Sequence, residues 1–209
     1  MTKFSRVKAP FITLEEQASP PSTPDAGTQR LFIDSADGLP YLIDEADVVT
    51  PVDSGGGGGG GAVVQVVNTE TGAVATGTTV IPFDDTIPQN TEGDQYMSLA
   101  ITPTDAGNIL LIDVVVQLSH SVAAWDAAAL FQDSTANALA AIVAYQDLAG
   151  AGMTLHFRHK MTAGTTSATT FKVRAGGQAA GTTTFNGQAA GRIYGGVMAS
   201  SITITEIAP

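Results

Sequence analysis

Chemistry in this chain would have to come from three histidines, His120, His156 and His159, and from an acidic stretch holding Asp84, Asp85, Glu92 and Asp94. Histidine is the side chain whose ordinary pKa lies nearest neutrality, which makes it the first candidate for proton transfer or metal ligation. His156 and His159 lie three apart in a run with strand character, so they fall on opposite faces and are not expected to share a metal. All three are expected to be structural or surface histidines. The acidic stretch is rich in oxygen ligands, but it lacks the EF-hand spacing of a Ca²⁺ loop and reads as a solvated turn that positions strands. Ser119 and Ser121 flank His120 without the G-x-S-x-G context of an activated nucleophile. The glycine run Gly55–Gly61 lacks the Lys-Ser/Thr that completes a phosphate loop. With no cysteine in the chain, disulfides and thiolate metal sites are excluded. No catalytic, cofactor-binding or metal-binding set is expected, and the protein reads as non-enzymatic.

The elements that would position these residues fall on either side of the glycine run. Seven consecutive glycines have no side chains to pack and maximal backbone entropy to lose, so the run is expected to be a flexible hinge, represented by Gly55, Gly58 and Gly61. Its ends would sit roughly 15 Å apart as a random coil. Residues 1–54 are rich in Pro, Asp and Glu, whereas residues 62–209 are rich in Ala, Thr, Gly and β-branched side chains. Across 209 residues there are 9 Lys and Arg against 20 Asp and Glu, for a net charge of −11. That charge repels phosphates and anionic headgroups, so neither nucleic acid nor membrane binding is expected. No apolar run approaches the roughly 20 residues of a transmembrane helix. The basic opening MTKFSRVKAPF is not followed by an apolar segment, so it does not read as a secretory signal, and the chain is expected to be made in the cytosol.

Before the glycines, residues 1–29 show no period, and Pro20, Pro21 and Pro24 enforce extended backbone. Phe4, Phe11, Ile12 and Leu14 are the apolar side chains that could order this arm against a partner. Between residues 30 and 52, Leu31, Phe32 and Ile33 form one strand-former and Tyr41, Leu42 and Ile43 another, joined through the Asp37–Gly38 turn signal. A lone hairpin is marginal in water, so docking of these six side chains on another sheet is expected to stabilise it.

After the glycines, short β-runs follow one another: 62–68, 73–82, 96–102, 108–119, 153–161, 171–174, 182–185, 192–197 and 201–207. The run 108–119 is almost continuously apolar, as a central strand is. The Ala-rich stretch 127–148 supports either a helix, by propensity and a Ser134 cap, or two strands, 127–133 and 138–145. The sheet-forming neighbours favour the strands. Phe185, Asn186 and Gly187 read as a hairpin turn. The whole pattern is all-β, a sandwich or barrel.

Two resemblances add to this reading. Pro21, Pro24 and Gly27, then Arg30, Leu31 and Phe32, then Asp37, Gly38 and Tyr41 with a closing Val-Val-x-Pro-Val resemble a segment near the N-termini of bacteriophage virion proteins. Ala46 and Asp47 depart from it at the second turn, where such proteins often keep a Gly. In the longer piece, Ile81–Gln89, Thr91–Gly93, Ile101–Pro103, Ala129–Phe131, the Phe185–Gly187 turn, the pair Gly195 and Gly196, and Ser201–Ile207 resemble the C-terminal jelly-roll knobs of phage fibre and decoration proteins. The likeness implies a homotrimeric jelly roll, broadly like those of tumour-necrosis-factor and complement type. It also implies an N-terminal arm that anchors the knob to the major capsid protein or another virion protein. The chain is thus expected to be a capsid decoration or head-fibre subunit on the virion surface. A tail fibre or receptor-binding tip contacting a host glycan or protein is the alternative. A carbohydrate-binding module, supported by Trp125 and Tyr194 as candidate exposed aromatics, is a further one.

Overall fold

The computed structural model describes residues 16–17, 19–36, 39–52 and 61–209. Phe4, Phe11, Ile12, Leu14, the Asp37–Gly38 turn, Gly55 and Gly58 lie outside the described residues. The chain divides into two compact units, residues 1–59 and 60–209.

In the first unit the expected hairpin exists, and two further strands extend it. β1 (Glu16–Gln17) runs parallel to β2 (Arg30–Asp34), which pairs antiparallel with β3 (Pro40–Ile43), and β3 pairs with β4 (Val49–Pro51). The turn after β3 is held by Asp44, whose Oδ1 accepts from the backbone N–H groups of Ala46 and Val48, both at 2.9 Å. Asp47 takes a positive φ there, a conformation that Asp tolerates better than most residues. Phe32 and Ile43 are buried, and the Phe32 ring stacks on Tyr41 at 5.8 Å. The structure corrects the expectation that both of these side chains are free for docking. Leu31 remains exposed, with Ile33, Tyr41 and Leu42 half-buried.

The second unit is a two-layer jelly roll. Its strands are β5 (Val63–Thr71), β6 (Ala75–Gly77), β7 (Asp94–Ile101), β8 (Ile109–His120), β9 (Ala124–Gln132), β10 (Ala140–Gln146), β11 (Gly152–Thr162), β12 (Thr169–Gly177), β13 (Thr183–Phe185), β14 (Gly187–Gln188), β15 (Gly191–Arg192) and β16 (Ser200–Ile207). One sheet runs β10-β9-β12-β7. In the other, β8 pairs along one edge with β16 and β13 and along the other with β11, while β5 flanks β16 and β6 flanks β13. The apolar run 108–119 does lie at the centre of its sheet. Leu110, Ile112, Val114, Val116 and Leu118 point inward and are buried, alternating with half-buried residues on the outer face. They meet Met97, Leu130, Phe171, Val173, Phe185, Ile202 and Ile204 from the other strands. Each such fully buried side chain contributes about 1.5–3 kcal/mol.

The Ala-rich stretch forms two strands, β9 and β10, paired from Ala140–Leu130 to Gln146–Ala124. Period-two burial outweighs the helix propensity of alanine. Elsewhere the chain departs from its sequence pattern. Only Ala75–Gly77 of 73–82 is strand, and 192–197 is a short strand end followed by a 3₁₀ turn at Tyr194–Gly196. Tyr96 is skipped in the β7–β12 register, which passes from Met97–Val173 to Gln95–Arg174. That bulge turns the Tyr96 ring onto Phe185 at 4.8 Å, away from the face that Ser98 and Ala100 occupy. The residues 185–187 make no hairpin. Asn186, buried at a φ of 53°, redirects the chain from β13 to β14. Its Nδ2 donates to Thr71 O and Ala73 O, and its Oδ1 accepts from Ser200 Oγ at 2.6 Å. Gly61, expected in the hinge, belongs to this unit, where a Cβ would come within 1.4 Å of Ala208 O.

Glu206, fully buried on β16, ties the loop before β8 to the sheet. Its Oε1 accepts from Thr104 N and Thr104 Oγ1, both at 2.8 Å, and from Asn108 Nδ2 at 2.6 Å, while Gln65 Nε2 donates to Oε2. Burial alone would raise its pKa, but the donors from Asn108, Gln65 and Thr104 outweigh it and hold the carboxyl at about 2. A depressed folded pKa gives stability that is present above the unfolded value of 4.5 and is lost as pH falls towards 2. Glu206→Ala should therefore cost about 1–3 kcal/mol near neutrality by orphaning buried donors. In denaturant melts from pH 6 down to pH 2, part of the acid-induced loss seen in the parent should be absent from Glu206→Gln.

Candidate functional site

Two places gather polar or apolar groups in unusual ways: a buried His–Asp pair at one end of the sandwich, and the outer face of the β8 sheet. His120 on β8 and Asp126 on β9 are inward positions from the two different sheets, both buried. His120 Nε2 lies 3.2 Å from Ala179 O, which can only accept, so this nitrogen carries the proton. His120 Nδ1 is 3.0 Å from Thr183 Oγ1, which then donates to it, and 3.7 Å from Asp126 Oδ1. Gln146 clamps the same residue's backbone, accepting from His120 N at 2.9 Å and donating to His120 O at 2.7 Å. Gly177 and Gly181 leave room for the ring, since a Cβ on either would approach it within 2.7 Å. Burial lowers the His120 pKa and raises that of Asp126 to about 7, and neither Asp126 oxygen has a hydrogen-bond partner. Burial therefore favours the uncharged form of both groups, Asp126 holding its proton below about pH 7.

A cavity of about 460 Å³ opens beside this pair, lined by His120, Ser121, Gly150, Thr182 and Gln188 among others. Its hydroxyls are committed elsewhere. Ser119 Oγ donates to Gly187 O at 3.0 Å, and Ser121 Oγ accepts from Thr182 N at 2.8 Å. Neither serine is hydrogen-bonded to His120; the hydroxyl that is, that of Thr183, belongs to a buried residue.

The remaining sequence candidates stay apart. His156 is exposed on the outer face of β11, 3.0 Å from Asp113 Oδ1, and Arg158 Nε and Nη2 donate to Asp113 Oδ2 at 2.9 and 2.7 Å. Burial raises the Asp113 pKa, but the Arg158 and His156 hydrogen bonds bring it below the usual carboxylate range. His159 lies half-buried on the opposite face of the same strand, its pKa lowered by burial. Among the described residues no three His, Asp or Glu side chains come together around a metal position. The acidic stretch is self-capped: Asp84 Oδ1 accepts from Thr86 N, Glu92 Oε2 from Gln89 N, and Asp94 Oδ2 from Thr79 N, each at 2.9 Å. Asp126 and Gln146 were missed as polar core residues. The signal was there in the alternation Ala124, Asp126, Ala128, Leu130, which puts a carboxylate in an inward register.

The outer face of the β5-β16-β8-β11 sheet carries an apolar strip. Val64 and Val66 are 41% and 56% exposed, and the strip continues through half-buried Ile207, Ile109 and Leu111. The register places Ile207 between Val63 and Ile109, and Thr205 between Val66 and Leu111. Next to it lies the Asp113–Arg158–His156 cluster.

No family model and no curated protein matches the sequence. Similar solved structures include the tumour-necrosis-factor protein Eiger of S. frugiperda, 9% identical with a TM-score of 0.42, over 68% of this chain and 93% of that one. The C-terminal domain of EclA, described as a sugar-binding protein, is 15% identical with a TM-score of 0.32, over 56% of this chain and 75% of that one. A chain of infectious bursal disease virus, Gx strain, is 13% identical with a TM-score of 0.32, and the match spans 77% of this chain and 40% of the viral one. The protein is all-β, with a jelly-roll second unit.

The buried pair gives a pH signature. The Asp126 carboxyl ionises above 3.8 when unfolded but keeps its proton up to about 7 when folded, so its contribution becomes increasingly unfavourable as pH rises between those values. Asp126→Asn, which has no proton to lose, should raise the melting temperature by several degrees at pH 8 and change it little at pH 4. Thermal melts across that range check this, and a parallel shift at both pH values would contradict it.

Proposed function

We propose that this chain is a non-enzymatic structural subunit of a phage particle surface, a capsid decoration or head-fibre protein. In this reading the jelly roll is a homotrimeric knob. The observation that carries the reading is the uncovered apolar strip Val64–Val66–Ile207–Ile109–Leu111 on the outer face of one sheet. An apolar patch of this kind, interrupted only by Thr205, is most simply covered by another protein surface, and cyclic self-association covers it in every copy at once. The Asp113–Arg158–His156 cluster beside it supplies polar groups for the rim of such an interface.

The seven glycines support the rest of the reading, because a tether of that composition lets a knob of one symmetry stand on a particle of another. Three weakly attached N-terminal units held by one trimer act together, so avidity replaces a large single contact. Exposed Leu31, with Tyr41 and Leu42 at the surface of the small sheet, offers the apolar contacts and strand edges for that attachment. The acidic surface keeps a dense array of such knobs soluble and mutually repelling.

Light scattering of the full chain should give three times the chain mass, and Leu111→Glu should reduce it to one. Co-sedimentation with purified phage particles should be lost on deletion of residues 1–52 while the mass of the remainder stays trimeric. A monomeric parent would overturn the knob, and binding to tails rather than heads would make the chain a fibre tip.

A further inference from the structure

The outer face of the β10-β9-β12-β7 sheet is partly covered by residues 79–93. Ile81 N donates to Gly177 O, Ala138 N donates to Pro88 O, and Arg174 reaches Glu92 O and Gly93 O from β12. This segment presses Phe83 face to face onto Trp125, with ring centroids 4.7 Å apart and planes 10° apart. Tyr145, the register partner of Trp125 on β10, stands beside it at 5.2 Å and 53°. The stack is not a buried satellite of the core, because Phe83 and Tyr145 are each 54% exposed. Of these three rings two are open to water, Phe83 parallel to Trp125 and Tyr145 tilted from it, a platform that folding alone does not require.

A cleft runs beside the platform. A cavity of about 220 Å³ lies between Pro82, Phe83 and Pro88 on one side and Trp125, Ala141 and Val143 on the other. It shares Asp84, Thr86, Pro88 and Ala141 with a second cavity of about 410 Å³ that reaches Asp85 and Leu139. Together they fall in the size range of small-molecule sites, which combine apolar walls with a few convergent polar groups. The polar groups here are acceptors. Asp84 is oriented by two Thr86 donors to its Oδ1, leaving Oδ2 to accept, and Asp85 adjoins it. Among the described residues no Lys or Arg lines either cavity, and on β12 Lys172 Nζ donates to Asp133 O and Arg174 to the carbonyls of residues 92 and 93.

A ligand for this cleft needs a flat face of polarised C–H groups for the negative faces of the rings, hydroxyl donors for the carboxylates, and no negative charge. A pyranose ring has all three. We infer that the cleft between residues 82–88 and strands β9 and β10 binds a neutral glycan, one sugar ring stacked on Phe83 with Tyr145 against its edge and its hydroxyls donating to Asp84 and Asp85. The inference does not depend on the particle role, and a trimer could form with or without it.

Trp125 is the one tryptophan of the chain, so its emission reports on this cleft alone. The full chain is titrated with cellotetraose, maltotetraose, mannotetraose and tetraacetylchitotetraose, with 3′-sialyllactose as an anionic comparison. Calorimetry provides a readout independent of the fluorophore. At least one neutral tetrasaccharide should give a saturable change that Phe83→Ala and Tyr145→Ala each weaken by about tenfold or more, that Phe83→Tyr retains, and that sialyllactose does not match. No saturable response to any of the four, or undiminished binding by both alanine variants, overturns the inference. So does a fall in light-scattering mass in Phe83→Ala, which would make the platform a subunit contact.

Discussion

The second unit depends on one strand serving two neighbours along its whole length. β8 takes β11 on one edge in unbroken register from Ile109–Thr162 to Ser119–Gly152, and divides its other edge between β16 and β13. A strand bonded on both edges leaves few backbone groups to satisfy elsewhere, here Gln117 N on Ser200 Oγ and the His120 backbone on Gln146, so its register fixes that of its partners. Sliding any of them by one residue would send Ile202 and Ile204, or Leu155 and Phe157, to the wrong face. The inward row Leu110–Leu118 then sets the depth at which the other sheet packs, and the long axis of the sandwich follows it.

What could be read from the sequence was what depends on periodicity. β8 and β16 are plain in the alternation of their apolar residues, and the Ala-rich 127–148 resolves into strands once its inward set, Ala124, Ala128, Leu130, Ile142 and Ala144, is seen to repeat every two residues. What could not be read depends on where the chain is forced off that period. The bulge at Tyr96 changes which face follows, and no local residue announces it, since its cause is the register imposed by Val173 and Arg174 across the sheet. Asn186 carries a turn signature, yet its amide is consumed in bonding Thr71 and Ala73, far away in sequence. Trp125 was visible as a candidate surface aromatic, but its neighbours Phe83 and Tyr145 come from other segments, and only the fold brings the three together. In the first unit, Phe32 and Ile43 read as sticky and turn out to be the buried side chains of their own sheet.

The two sheets handle polarity differently. Inside, each buried polar group of the β8 sheet is answered by a specific donor or acceptor: Glu206 by Thr104, Asn108 and Gln65, and Asn186 by Ser200. The other sheet holds unanswered ones, the Tyr96 hydroxyl and the Asp126 carboxyl, and burial lets Asp126 hold its proton up to about pH 7. Outside, one sheet shows an apolar strip with a charged cluster at its border, and the other shows aromatic rings beside carboxylates. The same sandwich therefore offers two surfaces of different chemistry, and each could be altered without disturbing the core between them.

β16 is formed by residues 200–207, yet it lies between β5, the first strand of this unit, and β8. A chain emerging from the ribosome makes β5 and β8 long before it makes the strand that must separate them. Until that strand arrives, both expose unpaired edges rich in valine, isoleucine and leucine, and the sandwich has no way to close. The sandwich therefore closes only once residues 200–207 have been made and inserted between β5 and β8. Loss of this one strand would leave a sticky, unclosed sheet rather than a slightly smaller domain.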